Sequence, residues 1–219
     1  MRDFIRPAAP TEMIPEMRDL MGWDTELFSR AGAPAYPNLI DEKHVVAELY
    51  NMTNVPMAVW IDEAGRIVRP AEAAGASDSF RSMDRATFKM TPEGATRSKA
   101  SRTAYVNALR DWVAKGDQSA YALAPAEAAS RIAGPSPTDA LSSANFRLAQ
   151  YLHERGHTAE AMPYFLEARR LCPERWHYLR QTLEIEELGK GSGPEFFAAI
   201  DALGERSFYH PVDLKASPK

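Results

Sequence analysis

The chain has one cysteine, Cys172, in 219 residues. That excludes an intramolecular disulfide framework and any reaction that needs two thiols of the same polypeptide within bonding reach. No apolar run approaches the length that crosses a bilayer, and Met1 to Pro7 contains no hydrophobic signal core, so no membrane association is expected and a cytoplasmic location is. An excess of positive charge is also missing: 26 basic residues face 30 acidic ones, a formal charge of −4, which argues against a nucleic-acid-binding surface. The sequence has no glycine-rich phosphate cradle, no Gly-x-Ser-x-Gly elbow and no zinc motif, and no cofactor or metal is expected. Of the five histidines, His44, His153, His157, His177 and His210, only His153 and His157 stand four apart, and Gly156 sets a turn between them.

The chain is organised around the stretch from Tyr50 to Pro70. Met57 to Ile61 is a short apolar run that predicts a strand buried on both faces. Asp62-Glu63-Ala64-Gly65 interrupts it with turn residues and Arg66-Ile67-Val68-Arg69 resumes, which gives a β-hairpin. Pro56 stands just ahead of the first strand, where a missing N–H is tolerated and a cis peptide costs little. Asp41, Glu42, Asp62 and Glu63 flank the strands, and their spacing suits turns and caps better than paired acid–base catalysis.

Val55-Pro56, Ala58-Val59-Trp60-Ile61-Asp62, Gly65 and Arg66-Ile67-Val68, preceded by Tyr36 to Asp41 and His44 to Tyr50, resemble the second half of the thioredoxin-like fold over about residues 35–74. The resemblance is to the TlpA/ResA-like thiol-disulfide reductases. It implies an α/β fold in which an incomplete thioredoxin-like sheet carries flanking helices. For Val55 and Pro56 it implies either a peptide-docking role, because the cis proline of that family presents backbone to a bound chain, or only a constraint on the fold. The family's Cys-x-x-Cys, whose thiol is activated at a helix N-terminus, is absent, so no catalytic residue is assigned. Two expectations follow for the family's missing first elements: a degenerate member whose sheet a partner or a second copy completes, or a start at Met1 that is not the true one, as when the UGA codon of an active-site selenocysteine, thought to occur in some relatives, is misread as stop; the nucleotide sequence ahead of Met1 decides between them.

Pro10 to Arg30 carries an approximate helical stripe of Met13, Met17, Leu20, Met21, Trp23, Leu27 and Phe28. Residues 71–102 read as a locally basic surface connection, followed by helices over Ser101 to Lys115 and Ala120 to Ile132. Gly134-Pro135-Ser136-Pro137 predicts a boundary. Beyond it Leu148, Ala149, Leu152, Gly156, Ala161, Phe165, Ala168 and Pro173 have the spacing of a tetratricopeptide repeat, and Trp176 to Leu188 with Pro194 to Leu203 look like a second, degenerate pair. Repeat packing is assigned to Leu148, Ala149, Gly156, Ala161, Phe165, Ala168 and Pro173; Cys172, at a normally apolar position, is expected to fill core. The expected organisation is a partial thioredoxin-like domain over 1–133, an all-α tetratricopeptide-like region over 138–205 and a tail over 206–219. Two functions fit: a non-catalytic protein-interaction module whose partner is another protein or a second copy of the chain, as a homodimer, or a thiol-disulfide oxidoreductase whose reactive Cys or selenocysteine lies upstream or on a partner.

Overall fold

The computed structural model describes residues 5–7, 39–41, 43–132 and 134–214. It is a mixed α/β protein with three antiparallel strand pairs and seven α-helices among those residues. Two compact units divide at Leu49/Tyr50. In the first, β1 (Ile5–Pro7) pairs with β2 (Leu39–Asp41), and the Asp41 carboxylate accepts from the Val45 and Ala47 amides at 2.9 and 3.0 Å, capping α1 (Val45–Leu49). The strand at β1 carries no sequence signal. The helix expected between 10 and 30 lies outside the described residues.

The second unit opens with the expected hairpin. β3 (Met57–Ile61) and β4 (Ile67–Ala73) pair antiparallel with register shifts around Trp60, and Val55-Pro56 ahead of β3 is cis. Asp62 closes the turn by accepting from the Ala64 and Arg66 amides. Trp60 is buried against the helix that carries Tyr105 and Trp112, donating its indole N–H to the Tyr105 hydroxyl at 2.7 Å and stacking on Trp112 at 5.1 Å between centroids.

Between hairpin and helix, the expected surface connection over 71–102 is largely regular structure. A 3-10 turn at Asp78–Ser82 leads into the short pair β5 (Met83–Asp84) and β6 (Lys89–Met90), and α2 then runs from Pro92 to Lys115. The expectation started the helix at Ser101 because its first turns are Ala, Ser and charge with no apolar stripe. The start is set instead by Thr91, whose hydroxyl accepts from the Gly94 amide, and by Pro92 in the first turn. Gly94 is required by close approach: a Cβ there would stand 2.3 Å from Ser82 Oγ and 3.2 Å from the Ser79 carbonyl.

After α3 (Pro125–Arg131), α4 (Pro137–Glu154) starts on a capping box in which Ser136 and Asp139 satisfy each other's amides. A three-residue turn leads to α5 (Thr158–Leu171), and Gly156 takes the positive φ of 84° that the turn needs. Phe146 and Ala149 of α4 and Ala161, Phe165 and Ala168 of α5 are wholly buried, joined by Tyr178 of α6 (Trp176–Glu186), whose ring stacks on Phe146 at 3.8 Å. A second apolar cluster joins α6 to α7 (Pro194–Asp201) through Trp176, Leu179, Phe196 and Ile200.

The Gly-Pro-Ser-Pro stretch at 134–137 lies inside one of the two compact units, and residues 206–214 pack against other parts of that unit. Phe208 is 6% exposed and sits in the α6–α7 cluster, while Val212 and Leu214 pack against the Trp60 cluster. Asp78 accepts from the Phe208 and Tyr209 amides at 2.9 and 2.7 Å, and the 3-10 residue Arg81 donates to the Gly204 and Arg206 carbonyls. The C-terminal segment therefore joins the hairpin half to the helical half.

Arg69 completes that join. A charged residue at the end of the Arg66-Ile67-Val68-Arg69 run would ordinarily face water, yet Arg69 is 1% exposed. Its Nε and Nη2 donate to both Glu72 carboxylate oxygens at 2.8 and 2.9 Å, Nη1 donates to the Tyr121 carbonyl at 3.0 Å, and Nη2 donates again to the Asp213 carbonyl at 2.8 Å. The guanidinium also lies 5.4 Å from the Trp60 ring centre. Removing one partner of a buried pair leaves the other charge uncompensated, so Arg69→Ala is expected to lower the free energy of unfolding by about 3–5 kcal/mol. Urea titration followed by tryptophan fluorescence checks this, and a loss below about 0.5 kcal/mol, the size of an ordinary surface substitution, would contradict it.

Candidate functional site

Val55 and Pro56 are where the hairpin begins, but their backbone is already engaged. The Val55 N–H donates to Asn54 Oδ1 at 2.9 Å, and its carbonyl accepts from the Tyr209 hydroxyl at 2.6 Å. What remains outward is the Val55 side chain, 56% exposed. Backbone docking of a peptide there requires the C-terminal segment to move first.

Of the repeat-packing residues, Ala149, Ala161, Phe165 and Ala168 lie in the α4–α5 interface and Gly156 closes its turn. Leu148 is 40% exposed and Pro173 is exposed; Leu152, one turn on, packs against the cluster instead. The flanking carboxylates serve turns. Asp62 is held below the usual carboxylate range by the Arg66 amide and guanidinium, and Glu42 lies outside the described residues. His153 and His157 do not converge: His153 contacts the Thr158 hydroxyl at 3.0 Å and His157 faces Glu160 at 3.5 Å.

Cys172 is 3% exposed at the end of α5, with Sγ 3.5 Å from Asp139 Oδ1. Burial is the main cause that pushes its thiol pKa up, which keeps it protonated at neutral pH. Asp139, Cys172 and Glu174 bring their ligand atoms within 4.8 Å of one another. Arg175 Nη2 stands 3.5 Å from the same Asp139 oxygen, and a guanidinium beside a protonated thiol opposes a cation there.

The same corner opens into a feature that no spacing in the sequence announces. The end of α5, the 172–175 turn, the start of α6, the end of α7 and the C-terminal segment enclose a cavity of about 730 Å³. Leu179, Leu203 and Phe208 contribute apolar wall, and Arg169, Arg170, Arg175, Arg206 and His210 line it with Glu174 as the sole carboxylate. Arg170 is neutralised by Glu167 at 2.7 Å. Arg69, Arg85 and Arg131 are likewise paired closely, with Glu72, Asp201 and Glu127. The other cavity arginines are not. Among the described residues neither Arg169 nor Arg206 has a carboxylate within ion-pair distance, and Arg206 donates only to the Leu203 and Ala202 carbonyls at 3.4 Å. Burial holds the pKa of Arg169 below the usual arginine value, against the field of Glu186. Arg175, 4% exposed, bonds Asn51 at 2.8 Å but leaves Nε and Nη1 without a partner. The arrangement suits binding of an anion; it contains no activated nucleophile beside a base.

No protein-family model, curated protein or solved structure matches the chain.

Two outcomes follow for this corner. Cys172 in the native protein is expected to resist a soluble disulfide reagent at pH 8 and to react stoichiometrically once the chain is unfolded in guanidinium; fast native labelling would contradict its burial. Asp139 is held below the ordinary aspartate value of 3.8, chiefly by the Ser136 hydroxyl and amide, with Cys172 and Arg175 adding to this. A depressed folded-state pKa means that its contribution is fully present above that value and is lost as pH falls through the lower one. The stability gap between the parent and Asp139→Asn is therefore expected to stay constant above about pH 5 and to shrink below about pH 4. A gap independent of pH in urea titrations would contradict this.

Proposed function

We propose that the chain is a non-catalytic protein-interaction module: a thioredoxin-like half-domain joined to a tetratricopeptide-like helical region, which self-associates. The observation that carries the first part is the single thiol, buried and protonated in the wall of a helical interface, where it cannot attack a disulfide and has no second sulfur to complete a cycle. The thioredoxin-like half of the reading is supported by the hairpin and the cis Val55-Pro56 at its foot. The helical half is supported by the α4–α5 pair, in which Ala149, Ala161 and Ala168 let the two helices approach closely.

Self-association follows from the sheet. Among the described residues β3 and β4 pair only with each other, so each leaves one edge without a strand partner. Unpaired N–H and C=O groups along such an edge template a further strand, and a second copy of the chain supplies one. Val55 is excluded from that role as long as Tyr209 holds its carbonyl.

Insulin-disulfide reduction separates this module from an oxidoreductase. Turnover of the purified chain is expected at background, unchanged by Cys172→Ser; turnover above background that the substitution abolishes would contradict the non-catalytic reading. Light scattering at micromolar concentration is expected to give a dimer, and a monomer would remove the self-association.

A further inference from the structure

The cavity at the α5–α6–α7 corner offers what a buried salt-bridge network does not: positive charge without its counterion, next to an apolar wall. Arg169 comes from α5 and Arg206 from the C-terminal segment, and neither has a carboxylate partner among the described residues. Behind them Arg175 is 4% exposed with two of its donors unsatisfied, so the buried wall adds a charge that Asp139, 3.5 Å away, meets only loosely. An unpaired buried donor costs free energy, and a cationic surface of low polarity strengthens the field felt by any anion that enters. Glu174, exposed at the rim, is the one opposing charge in the lining.

The remainder of the wall decides what kind of anion fits. Leu179, Leu203 and Phe208 give it a hydrophobic side, and a volume of about 730 Å³ falls within the usual range for small-molecule sites. An inorganic ion would leave that side in contact with water. A neutral apolar molecule would bury against it while displacing hydration from the arginines.

We propose that this cavity binds a small amphipathic organic acid, whose carboxylate bridges Arg169 and Arg206 and whose apolar body, of the size of a medium-chain acyl group, lies against Leu179, Leu203 and Phe208. The guanidinium groups are matched to a carboxylate because each offers planar pairs of N–H donors. The site is separate from the β3 edge and does not rest on self-association or on the absence of redox chemistry.

Calorimetric titration of the full chain with decanoate, kept below its micelle concentration, tests the proposal. Saturable one-to-one binding is expected, weakened at least about tenfold in the Arg169→Gln/Arg206→Gln variant, because each lost bond to a charged group is worth about that factor. Ala202, exposed in the cavity lining, supplies a variant independent of charge: Ala202→Trp fills the space and is expected to weaken binding without altering the circular dichroism. Decanol is expected to bind at least tenfold more weakly than decanoate, and decyl phosphate shows whether the head group is read as a carboxylate or only as an anion. Absence of saturable binding, equal affinity for decanol, or parent-like affinity in both variants would overturn the site; decyl phosphate binding more tightly than decanoate would overturn its assignment to a carboxylate.

Discussion

A single buried guanidinium sets the terms for the described residues between 50 and 214. Arg69 lies where a hairpin strand would ordinarily show a charge to water, and it instead faces inward with a carboxylate and two backbone carbonyls around it. A charge taken out of water is tolerable only when its partners are fixed in place. Glu72 belongs to the same strand, but the carbonyls of Tyr121 and Asp213 come from the loop after α2 and from the far end of the described chain. The burial of one strand residue thus requires three separated segments to stay together. The indole of Trp60 beneath the guanidinium ties this polar junction to the apolar cluster with Tyr105 and Ala108.

The consequence is a different anatomy from the one that composition suggests. A Gly-Pro-Ser-Pro sequence at 134–137 looks like a linker, and the run after 205 looks like a tail, because neither carries an apolar period. Yet the loop at 51–54 bonds to the start of α6, through Arg175 with Asn51 and the Trp176 amide with the Thr53 carbonyl, and Asp78 fixes the backbone at Phe208 and Tyr209. Polar contacts between segments far apart in sequence have no local signature. Phe208 is the one buried side chain of 206–214, and it anchors a segment whose other residues stay exposed or half-buried.

What was legible follows the same logic. The hairpin, the cis proline and the helices beyond 137 all express local rules: apolar periodicity, turn residues, caps and breakers. The long α2 was half legible, since its capping residues lie at 91–94 while its apolar stripe begins only at Tyr105. The charge-bearing cavity was not legible at all. Its arginines come from α5, the following turn and the C-terminal segment, and only the packing of α6 against α7 and Phe208 brings them to one place. Cys172, expected to fill core from its normally apolar repeat position, is 3% exposed, whereas Leu148, assigned to an interface by the same spacing, stands two-fifths exposed.

If the described residues between 50 and 214 are held as one body by Arg69 and the C-terminal segment, the amides at both ends of that connection must open together. Native-state hydrogen exchange reads this directly. The amides of Phe208 and Tyr209, bonded to Asp78, are expected to exchange with the same free energy as the β3–β4 amides and with the same dependence on denaturant. Exchange of Phe208 and Tyr209 at the free-chain rate while the hairpin stays protected would show a detached tail and contradict the account.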